Sequence, residues 1–390
     1  MKVAIASSGL GHINRGIETW ALDTALALRQ HGIETTLFAA APIPSQQDLT
    51  VEILPTHKRN DPVVQYLTRC APRWTWRWHL KSSYEIEQLS FWRHLKKHLQ
   101  NAQFDVLHVQ DPLLAQRAQR AFEKRQISCR CILAHGTEES AEYLAQFTYL
   151  QHLAPWHMDQ VLQKYQAQSQ SKTFPDWVML PNFVDVQQFR PFASQAESAA
   201  LRARYHLPPD ACIWGTAAAI KKHHKRIDWL LQEFADAAAQ RPDLHLVIAG
   251  SKQTDTNALI EHANILCPNR VSFMVDVPHE QMPDLLRSLD AFVLTSLFEM
   301  MPIALLEAIS TGLPAYTHDH PVLSWMTGAG GIQLQMSTPH TLRDAMLHTK
   351  QAELRQLGQL AREHAINTFS GQAVIPAYIS YYQRICKEGP

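Results

Sequence analysis

Short apolar runs alternate with longer stretches of helical spacing along the whole 390-residue chain, and few folds accept that pattern. A strand with no polar alternation has to be buried on both faces, so it belongs in a parallel sheet with helices packed on either side. In the first half the runs predict strands at Val3 to Ala6, Thr35 to Ala39, Val106 to Val109 and Cys131 to Ala134. Helical spacing falls between them, at Ile17 to Gln30 and Leu113 to Lys124. A second set follows Pro181, with strands near Ile213 to Ala217, Leu244 to Ala249, Val271 to Met274, Ala291 to Thr295 and Pro314 to Tyr316. The expected class is α/β with two sheet domains, which suits a length of about 150 residues per domain.

The polar stretch Gln166 to Pro175, followed by Trp177 to Leu180 and Pro181-Asn182, is expected to lead into the hinge, which divides the chain into 1–185 and 186–368. The remainder, 369–390, carries Val374, Ile375, Tyr378, Ile379, Tyr382 and Ile385 at helical spacing, which predicts a helix packing one face back on the N-terminal domain.

Composition removes several function classes. Hydrophobic residues make up 46% and charged residues 18%, too much core and too little charge for a disordered chain. Lys+Arg and Asp+Glu are both 36, so no overall field draws the chain to nucleic acid, and no nucleic-acid partner is expected. The six cysteines contain no Cys-x-x-Cys pair and fit a reduced cytoplasmic compartment. The apolar start, Met1 to Ser8, is too short for a signal segment, and no run of about 18 apolar residues predicts a spanning helix. Neither His318-Asp319-His320 nor Cys129-x-Cys131 has distant partners at ligand spacing, so no metal and no cofactor are expected.

Three stretches point to chemistry. Gly9-Leu10-Gly11-His12-Ile13-Asn14-Arg15-Gly16 joins the first strand to the first helix, where free N–H groups and the helix dipole suit an anion. A dinucleotide fingerprint would place the third glycine two residues earlier and an acid after the second strand. Phe38-Ala39-Ala40-Ala41 has no acid, which disfavours NAD. Lys221, Lys222, His223, His224, Lys225 and Arg226 pile positive charge into one loop before a helix, a crowding that an anion would relieve. In Thr295 to Ile309, Glu299 and Glu307 lie eight apart around Pro302, which is expected in the first helical turn. Such a helix start offers the amides of Met300, Met301, Pro302's neighbours and Ile303 to a diphosphate while the two acids reach for hydroxyls.

Ser296-x-x-Glu299, with Glu307-Ala308 and Gly312-Leu313-Pro314 beyond it, resembles the retaining glycosyltransferases of family 4. Phe104 to Asp111 is similar to that family's "D-v-v-H-x-H/D" strand. Leu180 to Asp185, with Phe189 and Pro191, is similar to its "PNGVD...F.P" segment, and Gly215 to Leu231 to its "GRL...KG.D.LI" loop and helix. The blocks span nearly the whole chain. The resemblance implies the GT-B fold, two facing Rossmann-like domains with a deep interdomain cleft, and transfer of a sugar from a UDP- or GDP-sugar to a glycan, lipid-linked or small-molecule acceptor. It implies Lys225 as phosphate ligand, Glu307 as ligand of the ribose hydroxyls and Glu299 as ligand of the donor sugar. It further implies His135 near the transferred sugar and Gly11 beside the donor phosphate. Gly9, His12, Arg15, His108 and Asp111 are weaker cleft or acceptor candidates.

The usual arginine of "GRL" is missing from Gly215-Thr216-Ala217, and Lys221 is expected in its place, with Arg226 beside it. Met300 stands where the family has glycine, and Phe183 where glycine is common. A non-catalytic sugar-nucleotide-binding protein of the same fold is the alternative, ahead of an NAD-dependent oxidoreductase. Residues 69–100 hold Arg69, Arg73, Trp74, Trp76, Arg77, Trp78, Lys81, Phe91, Trp92, Arg93, Lys96 and Lys97 against only Glu85 and Glu87. Tryptophan with cations predicts peripheral contact with an anionic membrane or a lipid-linked acceptor; a packed helix and acceptor loop is the competing expectation.

Overall fold

The structure is a computed structural model that describes residues 1–13, 15–44, 49–70, 82–168 and 176–387. The chain forms two compact units, Met1–Pro181 with Ile375–Pro390, and Asn182–Val374.

The first unit is built on β1 (Lys2–Ser7), α1 (Gly16–Gln30), β2 (Glu34–Ala39), β3 (Thr50–Ile53), α2 (Pro62–Cys70), α3 (Ser83–Asn101), β4 (Val106–Val109) and α4 (Pro112–Glu123). It continues through β5 (Arg130–His135), α5 (Ala141–Leu144), β6 (Tyr149–His152), α6 (Pro155–Gln168) and β7 (Asp176–Met179). The seven strands are parallel, in the order β3-β2-β1-β4-β5-β6-β7. Every residue of β4 and of β6 is buried, as a central parallel strand requires.

The second unit holds α7 (Gln195–Arg204), β8 (Cys212–Ala217), α8 (Ile227–Ala238), β9 (Leu244–Gly250), α9 (Thr256–Leu266), β10 (Val271–Val275), α10 (Met282–Arg287), β11 (Ala291–Leu294) and α11 (Ile303–Ser310). β12 (Ala315–His318), α12 (Pro321–Thr327), β13 (Gly331–Leu334), α13 (Thr341–His348) and α14 (Gln351–Phe369) complete it. Its six parallel strands run β10-β9-β8-β11-β12-β13. The last helix, α15 (Gly371–Lys387), buries Tyr378, Tyr382 and Ile385 in the first unit, where Tyr378 donates to the Pro181 carbonyl at 3.1 Å.

In each sheet the chain first winds to one side and then returns to the other, which leaves a switch point between β1 and β4 and another between β8 and β11. Open parallel sheets bind ligands just beyond the carboxyl ends of the strands at such points.

The structure corrects three expectations. β3, β6, β7 and β13 are strands that the apolar runs did not mark, being short or half polar. Trp177 to Leu180, expected as an approach to the hinge, instead supplies most of the edge strand β7, with Trp177 buried. Phe91 and Trp92, expected at a membrane interface, are 0% and 8% exposed in the core of the first unit beside Leu95 and Leu99. Their i, i+4, i+8 spacing with those leucines is a core stripe. Arg73, Trp74, Trp76, Arg77, Trp78, Lys81 and Asn14 lie outside the described residues.

Candidate functional site

In the second unit, the turn after β8 and the turn after β11 meet at the switch point. Lys225 Nζ is ion-paired with Glu299 Oε1, and His224 Nε2 lies 3.9 Å from the same oxygen. His224 also contacts the Phe298 carbonyl at 2.9 Å, and Thr295 Oγ1 donates to the Lys225 carbonyl at 2.6 Å, so the two turns are stitched together. His224 and Arg226 hold φ of 68° and 52°, a left-handed conformation that costs about 1 kcal/mol or more outside glycine. The flanking bonds keep that strained turn in place, with Lys225 between the two residues.

Arg226, expected as a donor ligand, has other partners: its Nη1 donates to the Met336 carbonyl at 2.7 Å and Thr295 at 3.3 Å, and its guanidinium covers Trp229 at 4.5 Å. Its charge braces the loop. Lys221 is half-buried in the same turn, and its carbonyl accepts from Ile227 N.

Helix α11 begins at Ile303. Pro302 is the extended residue just before it, φ −71° and ψ 117°, one place earlier than expected. Glu299 lies in the preceding turn, 8% exposed, and Glu307 lies within the helix, 4% exposed. Glu307 Oε1 is 2.7 Å from Nε2 of His279, a half-exposed side chain in the 3₁₀ turn after β10. No motif marked His279. Asn182 pins the same region, its N and Nδ2 donating to Sδ and the carbonyl of Met301 at 3.1 and 3.2 Å. Met301 is buried, Met300 half-buried, and Ser296 Oγ is buried with no hydrogen-bond partner.

In the first unit, a charged network sits at the β1/β4 switch point. Glu87 on α3, fully buried, receives Ser8 Oγ at 2.9 Å, His12 Nε2 at 2.9 Å and the guanidinium of Arg59. Burial pushes this carboxyl up, but the hydrogen bonds from His12 and Arg59 outweigh it and hold Glu87 down at about 2. Asp111, just past β4, accepts from Tyr84 Oη at 3.2 Å and from Ser8 N at 3.4 Å; burial raises its pKa. Arg15 pairs with Glu18 at 2.6 Å. His12, Arg15 and Asp111 are thus brought together, with Glu87, Tyr84, Glu18 and Arg59 as members that sequence patterns did not single out.

Gly11 has φ +91°, and a Cβ there would strike the backbone of Ala41; one at Gly9 would strike the Glu18 carboxylate. Both glycines therefore answer to their own unit's packing. His135 ends β5, 4% exposed, with Nδ1 3.2 Å from Nδ1 of His152, and its Nε2 is buried without a partner. Burial, then His157, lowers its pKa to about 4. His108, expected among the cleft residues, is fully buried, its Nδ1 2.6 Å from Tyr382 Oη and its ring packed on Trp20 at 4.9 Å. It anchors α15, because a central strand residue beneath a helix has no open side.

Residues 212–350 match the family described as Glycosyl transferases group 1. The chain is 29% identical over 150 residues to mannosylfructose-phosphate synthase of Agrobacterium fabrum, a match covering 36% of this chain and about a third, 32%, of that relative. Among solved structures, sucrose-phosphate synthase from Thermosynechococcus elongatus superposes with a TM-score of 0.75 at 16% identity over 98% of both chains. Anabaena HepE in complex with UDP and glucose superposes at 0.72 and 13% identity, over 99% of this chain and 98% of that one. The two-sheet fold is the one the GT-B glycosyltransferases share, and residues 212–350 of the second unit are similar to the group 1 glycosyl transferases.

Proposed function

We propose that the protein is a retaining glycosyltransferase that moves a sugar from a UDP- or GDP-sugar to a glycan, lipid-linked or small-molecule acceptor. The observation that carries this reading is the pairing of Lys225 with Glu299 at the second unit's switch point, beside the start of α11 and the buried Glu307. Breaking the bond between the anomeric carbon and the diphosphate oxygen leaves an oxocarbenium-like sugar and a growing negative charge on the phosphate. Lys225 would exchange its carboxylate partner for that phosphate, with Lys221 and the amides of Met300, Met301 and Ile303 adding positive potential. Glu299, released, would accept from donor-sugar hydroxyls, and Glu307 from the ribose. His135 and Gly11 are proposed on the donor side of the first unit. Retention would follow if the leaving phosphate takes the incoming hydroxyl's proton on the same face, with no protein nucleophile. Cations and a helix N-terminus do the neutralising in this scheme, so no metal is proposed.

The test is thermal unfolding against UDP, GDP, ADP and NAD, since a ligand at about a hundred times its Kd adds roughly 2.7 kcal/mol to the folded state. Lys225→Ala should abolish the shift from the productive nucleotide and turnover with its sugar panel. A shift with NAD alone would overturn the reading in favour of an oxidoreductase. Binding without turnover on any acceptor would leave a non-catalytic sugar-nucleotide-binding protein.

A second proposal concerns place: a cytoplasmic protein with a peripheral contact on an anionic leaflet. Val63, Tyr66 and Leu67 recur at helical spacing on α2 and are 69%, 67% and 52% exposed. Arg69, Arg93 and Lys97 are exposed on α2 and α3. Among the described residues no helix is long and apolar enough to cross a membrane. Co-sedimentation with anionic but not neutral vesicles at low salt, lost in Tyr66→Asp/Leu67→Asp, is the expected result; no pelleting would remove the proposal.

A further inference from the structure

The first unit has a cavity of about 260 Å³ just beyond the carboxyl end of β4, its walls including Arg15, Tyr84, Asp111, Thr137, Glu139 and Tyr143. It lies wholly within that unit, at the switch point where an open parallel sheet binds ligands. We infer that this cavity is the acceptor subsite and that it selects an uncharged, ring-sized polyol, a hexose or the terminal hexose of a glycan, over a phosphorylated sugar. This inference rests on the glycosyltransferase reading.

Three features point there. The volume is below the roughly 300–1,000 Å³ of sites for drug-sized ligands, which leaves room for one ring and little more. The walls pair two aromatic rings with groups of opposite hydrogen-bond sense: Asp111 and Glu139 accept, Arg15 donates, and the Thr137 hydroxyl does both. A sugar hydroxyl is donor and acceptor at once, so it can use both kinds of wall.

The third feature is charge. Arg15 is the one cation lining the cavity among the described residues, and it is already paired with Glu18 at 2.6 Å. Arg59, stacked on Tyr84 at 5.0 Å, is likewise paired with Glu87. A phosphate accepts hydrogen bonds only; among the described lining residues it would face Asp111 and Glu139 and would have to draw Arg15 away from Glu18. The tyrosines are held in place: Tyr84 Oη donates to Asp111 at 3.2 Å and Tyr143 Oη to the Pro112 carbonyl at 2.9 Å. Thr137 Oγ1 donates to Glu139 at 3.2 Å and orients that carboxylate.

Binding to the full chain, with and without UDP, would be measured by titration calorimetry and ligand-observed NMR. The probes are glucose, mannose, galactose, fructose, their 6-phosphates, and methyl glucoside and maltose as mimics of a glycan end. At least one neutral hexose or glycoside should bind with a Kd near 1 mM, and its 6-phosphate at least tenfold more weakly. Free hexose binding better than the glycosides would identify a small-molecule acceptor, the reverse order a glycan end, and both support the subsite. Glu139→Gln should weaken the neutral sugar about tenfold, and Glu139→Lys should narrow or reverse the discrimination against the phosphate. A phosphosugar that binds as tightly as its parent, or no neutral sugar bound at about 100 mM in either condition, would overturn the inference. The UDP-induced thermal shift reports separately on the donor reading: a preserved shift with no sugar bound sinks the acceptor subsite alone.

Discussion

Acidification should open the first unit through three histidines that the fold buries in neutral form. Burial lowers His108 to about 3, His135 to about 4 and His152 to about 3, with His157 adding to the effect on the last two. In the unfolded chain each titrates near 6.5. Between those limits the unfolded state binds more protons, so stability is full above about pH 6.5 and falls as the pH drops. From pH 7.5 to 5 each histidine costs about 2 kcal/mol, and the three together about 6, set almost wholly by the unfolded value because the folded ones lie below pH 5. That is comparable with the whole stability of a typical domain. Asp111 and Glu18 oppose the trend, since burial raises both and the folded state keeps their protons as the pH falls. A variant difference isolates the histidine part. His108→Gln and His152→Gln should each flatten the pH dependence by about one proton between pH 4.5 and 6. Hydrogen exchange read by mass spectrometry on peptides covering β4 to β6 gives the opening free energy of this region directly. An unchanged proton slope in both variants would refute neutral burial.

Other consequences can be checked by simpler means. Lys225→Ala leaves Glu299 nearly buried, with His224 at 3.9 Å its remaining ion-pair partner among the described residues, and should cost about 2–3 kcal/mol in urea unfolding. Adding Glu299→Gln should restore most of that stability while turnover stays absent, which separates the structural from the catalytic loss. Gly11→Ala forces a Cβ against Ala41 at φ +91° and should lower stability by about 2 kcal/mol, read as a fall in Tm. Phe91→Ala, at a fully buried position, should cost about 3–5 kcal/mol and leave vesicle pelleting unchanged in the cold.

Much of the fold could be read in advance because parallel strands are buried on both faces. Val106 to Val109 and Cys131 to Ala134 must be apolar, or nearly so, wherever the sheet is central, and the run itself announces the strand. The strands that escaped notice lack an apolar run. β3 is largely exposed, and β6, though buried, carries Gln151 and His152: Gln151 Nε2 donates to the Leu180 carbonyl and His152 Nδ1 lies 3.2 Å from His135 Nδ1. Such partners come from other parts of the chain and leave no local trace.

Candidate site residues divide in the same way. Lys225, Glu299 and Glu307 sit in motifs whose spacing is set by one turn or one helix, so their neighbourhood is written locally. His279, Glu87 and Tyr84 reach their partners across 28, 75 and 27 positions of sequence, to Glu307, His12 and Asp111. No window of sequence contains both ends of such a bond. Phe91 and Trp92 show the reverse failure: aromatic and cationic neighbours read as an interface until the helix's inner face is known.

By itself the sequence determined two parallel-sheet units, a cation-rich turn before one helix and two acids around the start of another. Each is encoded by residues within a turn or two of one another, where hydrophobic spacing and backbone preference act directly. Tertiary structure alone decided that Arg226 braces its loop while Lys225 meets Glu299, that His108 lies beneath α15, and that Arg15 reaches the cavity already paired. Those outcomes depend on burial and on partners brought from distant positions. A side chain's chemistry is settled by what surrounds it after folding, and its type alone leaves that open.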